Sequence, residues 1–185
     1  MLKKVFFVLA LVSTFVFAQM QTITTPKFEL KDIYGKTTTV VGTKNGLDIP
    51  SAKGKVVLLE FWGTHCPPCL MSIPHYVKLN EKYKDKLAMF AIEVQGTSKE
   101  RLLEFAKANG INYNIYTQDE NMDFVRYIAQ RAGWRGAIPF LVIFDTNGNV
   151  VDIKKGMVPP EYIEKVIEYI FNKQKNSTKE SNSTK

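Results

Sequence analysis

The chain has 185 residues, 45% of them hydrophobic and 23% charged, with two cysteines and a formal charge of +7. That length suits one domain able to bury a core without disulfide staples, and the 12% aromatic content argues against a disordered chain. Two cysteines exclude a multi-disulfide scaffold, an iron–sulfur protein and a four-cysteine zinc site.

Residues 1–18 read as a secretory signal. Lys3 and Lys4 precede an apolar run from Val5 to Phe17, and Val16-Phe17-Ala18 offers a cleavage site near Ala18. The run is shorter than the roughly 20 residues a spanning helix needs, so cleavage is favoured over a retained anchor. No cysteine follows it to carry a lipid. The signal holds two lysines, and the polar segment 173–185 holds four lysines against one glutamate, so the body between them carries about +2. The basic balance therefore gives no support to nucleic-acid binding. Residues 173–185 lack an apolar period and are expected to be a disordered polar tail; they contain two Asn-x-Ser/Thr triplets, at Asn176 and Asn182.

Between these ends the pattern is α/β. Phe28 to Leu30 and Thr37 to Val41 predict a hairpin around Tyr34-Gly35. Val56 to Trp62 is apolar apart from Glu60 and predicts a buried central strand. Pro67 or Pro68 opens a helix to about Lys84, with Leu70, Ile73, Val77 and Tyr83 expected on its inner side. Leu87 to Val94 is the next strand, which completes a βαβ unit. Ser98 begins a second helix that stops near Asn109-Gly110, Ile115-Tyr116 is a short strand, and Met122 to Ala132 is helical. Phe140 to Phe144 and Val150 to Ile153 flank a turn at Asp145-Thr-Asn-Gly148, and Pro159-Pro160 opens a last helix to about Asn172. Residues 19–172 are thus expected to be one domain.

Cys66-Pro67-Pro68-Cys69 stands where the buried strand meets a helix N-terminus. Two intervening residues let the sulfurs bond. The helix end favours a thiolate, and the first cysteine can attack while the second resolves a mixed disulfide. The competing readings are weaker. A zinc half-site would need a second half that His65 and His75 do not make, and haem attachment would need His where Leu70 stands. A structural bridge across three residues would stabilise little.

Glu60-Phe-Trp-Gly-Thr-His-Cys66-Pro-Pro-Cys69 resembles the active site of thioredoxin-fold proteins, in particular the TlpA/ResA/CcmG-like periplasmic thiol–disulfide oxidoreductases. The likeness runs from about Pro26 to Phe171. It includes Phe28-Glu-Leu-Lys-Asp and Gly35-Lys, the Gly54-Lys-Val-Val-Leu-Leu strand, Pro74 in the active-site helix, and Gly136-Ala-Ile-Pro139. It implies a thioredoxin fold: a central mixed sheet flanked by helices, with an N-terminal β-hairpin extension. By the same resemblance, Cys66 is the nucleophile and Cys69 the resolving thiol. Pro139 is a cis-proline beside the pair that, with Ile138, keeps a strand edge open for a substrate backbone, and Trp62 packs under the loop. Glu60 matches a buried acid that relays a proton for the resolving thiol. Ser72 stands where ResA-like members carry a second acid, so a mechanism using that acid does not transfer, and His65 stands where many relatives have Trp.

The two prolines lack N–H groups, so within the loop only Cys69 can donate to a Cys66 thiolate. Weak thiolate stabilisation makes the pair a reductant, with a potential expected below about −200 mV. The resemblance implies a periplasmic protein that reduces substrate disulfides such as the Cys-x-x-Cys-His sites of apocytochrome c. Its electrons would come from a membrane thiol reductase of the DsbD/CcdA type, and no cofactor or metal is called for. The alternatives are a general reductase or isomerase of misoxidised exported proteins, and a thioredoxin-fold metal chaperone.

Overall fold

A computed structural model describes the backbone of residues 25–183 and the side chains of residues 25–176. The signal expected over residues 1–18 lies outside the described residues. A small antiparallel sheet comes first, formed by β1 (Lys27–Lys31), β2 (Thr37–Gly42) and β3 (Leu47–Asp48) in that order. The second sheet holds β4 (Val56–Trp62), β5 (Leu87–Glu93), β6 (Asn114–Thr117), β7 (Phe140–Phe144) and β8 (Val150–Lys155). Its strand order is β6-β5-β4-β7-β8. The helices are α1 (Pro67–Lys82), α2 (Lys99–Ala108), α3 (Met122–Ala132) and α4 (Pro160–Ser183). This is the thioredoxin fold, a mixed sheet flanked by helices.

Strand β4 is central, parallel to β5 and antiparallel to β7, and all seven of its residues are buried. Burial on both faces explains its near-continuous apolar run. Val56, Leu58 and Trp62 join a core with residues of α1, α2 and α4. Val57, Leu59 and Phe61 join the opposite core, made with α3 and the small sheet. Alternation along the strand puts Glu60 on the first of these faces, under α1.

The structure departs from the sequence reading in three places. The expected hairpin is a three-stranded sheet, because two residues of β3 add to β2. Leu47 N donates to the Gly148 carbonyl, and a side chain at Gly148 would put its Cβ 1.8 Å from the Leu47 carbonyl oxygen. Only glycine permits that approach, and the contact depends on residues a hundred positions apart. Leu70 is 36% exposed, because the buried stripe of α1 runs through Cys69, Ile73, Tyr76 and Leu79 and turns Leu70 outward. Finally, α4 continues to Ser183, past Asn172, where a disordered tail was expected. Lys, Gln and Glu are good helix formers, and Gln174 donates a hydrogen bond to Thr146 in the turn after β7.

Candidate active site

Cys66 and Cys69 sit at the start of α1, just beyond the end of β4. Cys66 is the N-cap of that helix, in an extended backbone conformation, with Pro67 and Pro68 at the first two helical positions. Those prolines remove two of the N–H groups that a helix start otherwise presents. What remains for the sulfur is the Cys69 N–H, which donates to Cys66 Sγ at 3.3 Å. The two sulfurs are bonded, with an S–S distance of 2.09 Å. Both cysteines are buried, Cys66 at 6% exposure and Cys69 at 2%. The more accessible one is the residue outside the helix, as attack on a bulky substrate requires.

The loop leading into Cys66 is held from the neighbouring strand. Glu93, the last residue of β5, is fully buried and accepts from Gln95 N at 3.1 Å, Thr97 N at 3.0 Å and Thr97 Oγ1 at 2.9 Å. These bonds fold residues 95–97 into a tight turn. The turn then grips the loop: His65 N donates to Gln95 Oε1 at 2.8 Å, and Thr64 Oγ1 lies 2.8 Å from Thr97 Oγ1. Gly63 allows this packing, since a Cβ there would meet Gln95 Oε1 at 2.1 Å. The His65 side chain is exposed, with Nδ1 3.1 Å from Thr64 Oγ1.

The Ile138–Pro139 peptide bond is cis. Pro139 is buried and precedes β7, whose first residue, Phe140, pairs antiparallel with Phe61 near the end of β4, so it lies at the cysteine end of the sheet. Its carbonyl accepts from Gly156 N at 2.8 Å. The loop before it is pinned by Trp134, whose Nε1 donates to the Ala137 carbonyl at 2.7 Å and whose ring stands edge-on to Phe61 at 4.5 Å. Ile138 is half-buried, in contact with both cores. Trp62 is 2% exposed, shares a core with both cysteines and packs against Phe105 at 5.7 Å.

Glu60 is 3% exposed, flanked in the sheet by Ala91 and Leu141. Its Oε1 is buried without a hydrogen-bond partner. Burial pushes its pKa from an ordinary 4.5 up to about 8, with the Tyr76 hydroxyl of α1 opposing the rise. Burial also raises Tyr76 and Tyr113 well above the usual phenol value, and the Glu60 charge adds to both. Among the described residues, the buried side-chain N and O atoms without a partner are Glu60 Oε1 and Trp62 Nε1. They lie two positions apart on the face of β4 that carries the cysteines. Unsatisfied buried polar atoms are costly, and concentration of them at one place marks a site arranged for chemistry.

The structure therefore brings Cys66, Cys69, Pro139, Ile138, Trp62 and Glu60 to one end and one face of the sheet. Sequence reasoning missed Glu93, Gln95, Tyr76 and Trp134. A glutamate closing an otherwise apolar strand was the one available sign of the first.

The chain is similar to known proteins over most of its length. The Redoxin family model matches residues 21–170. The thioredoxin-like protein YneN of Bacillus subtilis (strain 168) is 29% identical over 145 residues, covering 77% of this chain and 76% of that protein. The thiol–disulfide oxidoreductase ResA of Halalkalibacterium halodurans is 26% identical over 144 residues, covering 77% of this chain and 73% of that protein. Among solved structures, a thiol:disulfide interchange protein of the thioredoxin family from Chlorobium tepidum TLS has a TM-score of 0.65 at 21% identity. That match covers 79% of this chain and 94% of that one, and it supports the fold. With the match across residues 21–170 and a bonded cysteine pair capping the helix after the central strand, the chain belongs to the Redoxin family and is a thiol–disulfide oxidoreductase.

Proposed function

We propose that this protein is an exported, periplasmic reductant of substrate disulfides, and that Cys-x-x-Cys-His segments of apocytochrome c are among its substrates. The observation that carries this reading is the poverty of donors around Cys66. Pro67 and Pro68 leave the Cys69 N–H as the loop's donor to the sulfur. A thiolate so weakly supported is a good nucleophile and a poor leaving group, which favours giving electrons to a substrate disulfide. Electrons would return from a membrane thiol reductase of the DsbD/CcdA type. Among the described residues, no helix is long and apolar enough to cross a membrane.

The reaction runs in two exchanges. The Cys66 thiolate attacks a substrate sulfur, forming a Cys66–substrate disulfide and releasing the first substrate thiolate. Cys69 then gives its proton to Glu60 and attacks Cys66 Sγ. The Cys66–Cys69 bond forms, the bond to substrate breaks, and the second substrate thiolate leaves to be protonated by solvent. Two electrons pass from the cysteine pair to the substrate. Pro139, with no N–H of its own, and Ile138 border the groove where the substrate backbone lies.

The test is redox equilibration against glutathione, paired with trapping by Cys69→Ala. A potential below about −200 mV is expected, and a value near −120 mV overturns the reductant reading. Cys69→Ala should hold an oxidised Cys-x-x-Cys-His peptide as a stable mixed disulfide. Equal capture of scrambled disulfide proteins would favour the general reductase or isomerase instead.

A further inference from the structure

An open pocket of about 450 Å³ lies beside the loop that leads into Cys66. Thr64 and His65 of that loop, the turn at 95–97, and Arg101 and Phe105 of α2 line it. Within the turn, Gly96 has a φ of 78°, which favours glycine, and a Cβ there would meet nothing within 4 Å. The turn therefore offers bare backbone with room beside it. Most polar groups around the pocket are already committed to the protein. Thr97 Oγ1 donates to Glu93 Oε1 at 2.9 Å, so the Thr64 hydroxyl, 2.8 Å away, donates to Thr97 in turn. Glu93 is fully buried with both carboxylate oxygens engaged. Two donors are left over. Gln95 accepts from His65 N through Oε1, and among the described residues its NH2 group has no partner. Arg101 is exposed, and among the described residues its guanidinium makes no ion pair or hydrogen bond. Its backbone N–H is held by Ser98 Oγ, the N-cap of α2, which fixes where the side chain leaves the helix. The acids near it on α2, Glu100 and Glu104, do not line the pocket.

Resting on the reading of Cys66 as the attacking thiol, we propose that this pocket is a specificity site for an acidic side chain of the substrate, and that Arg101 selects it. A guanidinium donates to both oxygens of a carboxylate at once, and the Gln95 amide adds a further donor. Phe105, half-buried and packed on Trp62 at 5.7 Å, supplies an apolar edge for the methylene stem of an aspartate or glutamate. A lysine or arginine of the substrate would meet a like charge in the same place. The reach also fits. His65 is the residue before Cys66, and an extended chain advances about 3.4 Å per residue, so the acid belongs within about three residues of the cysteine under attack. The exchange chemistry stays with the cysteine pair, and the pocket decides which disulfides are held against it.

Peptides of one sequence with an internal Cys-x-x-Cys disulfide test this, carrying Glu, Gln or Lys at each position near the cysteines in turn. Single-turnover oxidation of the reduced protein gives a rate for each peptide. Dividing by the rate of the same peptide with dithiothreitol removes its intrinsic reactivity. At the best position Glu should exceed Gln about threefold to fivefold, the scale of a partly solvated ion pair, and Lys should be slowest. Raising the salt to about 0.5 M should shrink the difference. Arg101→Ala should bring the Glu and Lys peptides level with Gln while the Gln peptide keeps its wild-type rate, and Arg101→Glu should reverse the order. Lys84→Ala removes an exposed charge just before β5, at the opposite end of the sheet from the cysteines, and should leave the order intact. Equal rates for the three peptides at every position, or a preference for Glu that survives Arg101→Ala, overturns the proposal. An equal loss of preference in Lys84→Ala also overturns it, since net charge would then be the cause. A reduced protein that reacts with none of the peptides overturns the reading of Cys66 together with it.

Discussion

Glu60 on β4 and Glu93 on β5 lie on the same face of one sheet, 3% and 0% exposed, yet their surroundings differ completely. Glu93 accepts three hydrogen bonds from the turn that follows it. Glu60 has a buried carboxyl oxygen with no partner. One carboxylate is a structural anchor, whose charge organises a loop and, through Gln95 and Thr97, the backbone before Cys66. The other is kept short of partners, and its burial raises the pH at which it ionises. Burial of an acid therefore says little about its role until the donors that reach it are counted.

The comparison can be broken most directly through pH. Glu60 has a folded pKa near 8 against 4.5, so between these values the folded state holds a proton that the unfolded state has lost. Stability from this group is intact below about pH 4.5 and falls as pH rises through 8. The loss across that window is about 5 kcal/mol, at 1.36 kcal/mol for each pH unit. Urea unfolding of the oxidised protein from pH 5 to 9 should show the decline, and Glu60→Gln should flatten it. A Glu60→Gln variant that keeps the wild-type slope would remove Glu60 from its place in this contrast.

Glu93→Gln should act in the opposite sense. Whichever way the amide turns, its NH2 meets an N–H or hydroxyl now donating to the carboxylate, and the expected loss is about 2–3 kcal/mol at pH 7 in the same assay. If Glu93→Gln proved neutral, the anchor role would fail. The smallest effect is expected one step outward. Gln95→Ala frees the His65 N–H and should cost about 1 kcal/mol. The amide signals of residues 63–66 should broaden while those of α4 stay unchanged.

The parts of the site that depend on neighbours along the chain were legible beforehand. Cys66 and Cys69 are three residues apart, Pro139 follows Gly136 closely, and Glu60 interrupts an apolar strand. What was not legible depends on contacts across the fold. Gln95 meets His65 over a separation of 30 residues, and nothing in either segment announces it. Tyr76 was not singled out, because its burial beside the core residues of other elements shows only once α1 is docked. Leu70 was placed inward because positions 70, 73 and 77 form as regular a helical stripe as 69, 73 and 76. Only the docking of α1 on the sheet decides between them. The continuation of α4 past Asn172 was missed because a polar stretch carries no apolar period.

Pro67 and Pro68 also bear on how long an encounter with substrate can last. Two consecutive rings at the start of α1 leave the short link between the sulfurs few conformations to explore once their bond is open. Cys69 then confronts the mixed disulfide at a high effective concentration, as a group already placed for attack rather than one that must be found. Complexes with substrate should accordingly be brief, each exchange ending in rapid self-closure of the pair.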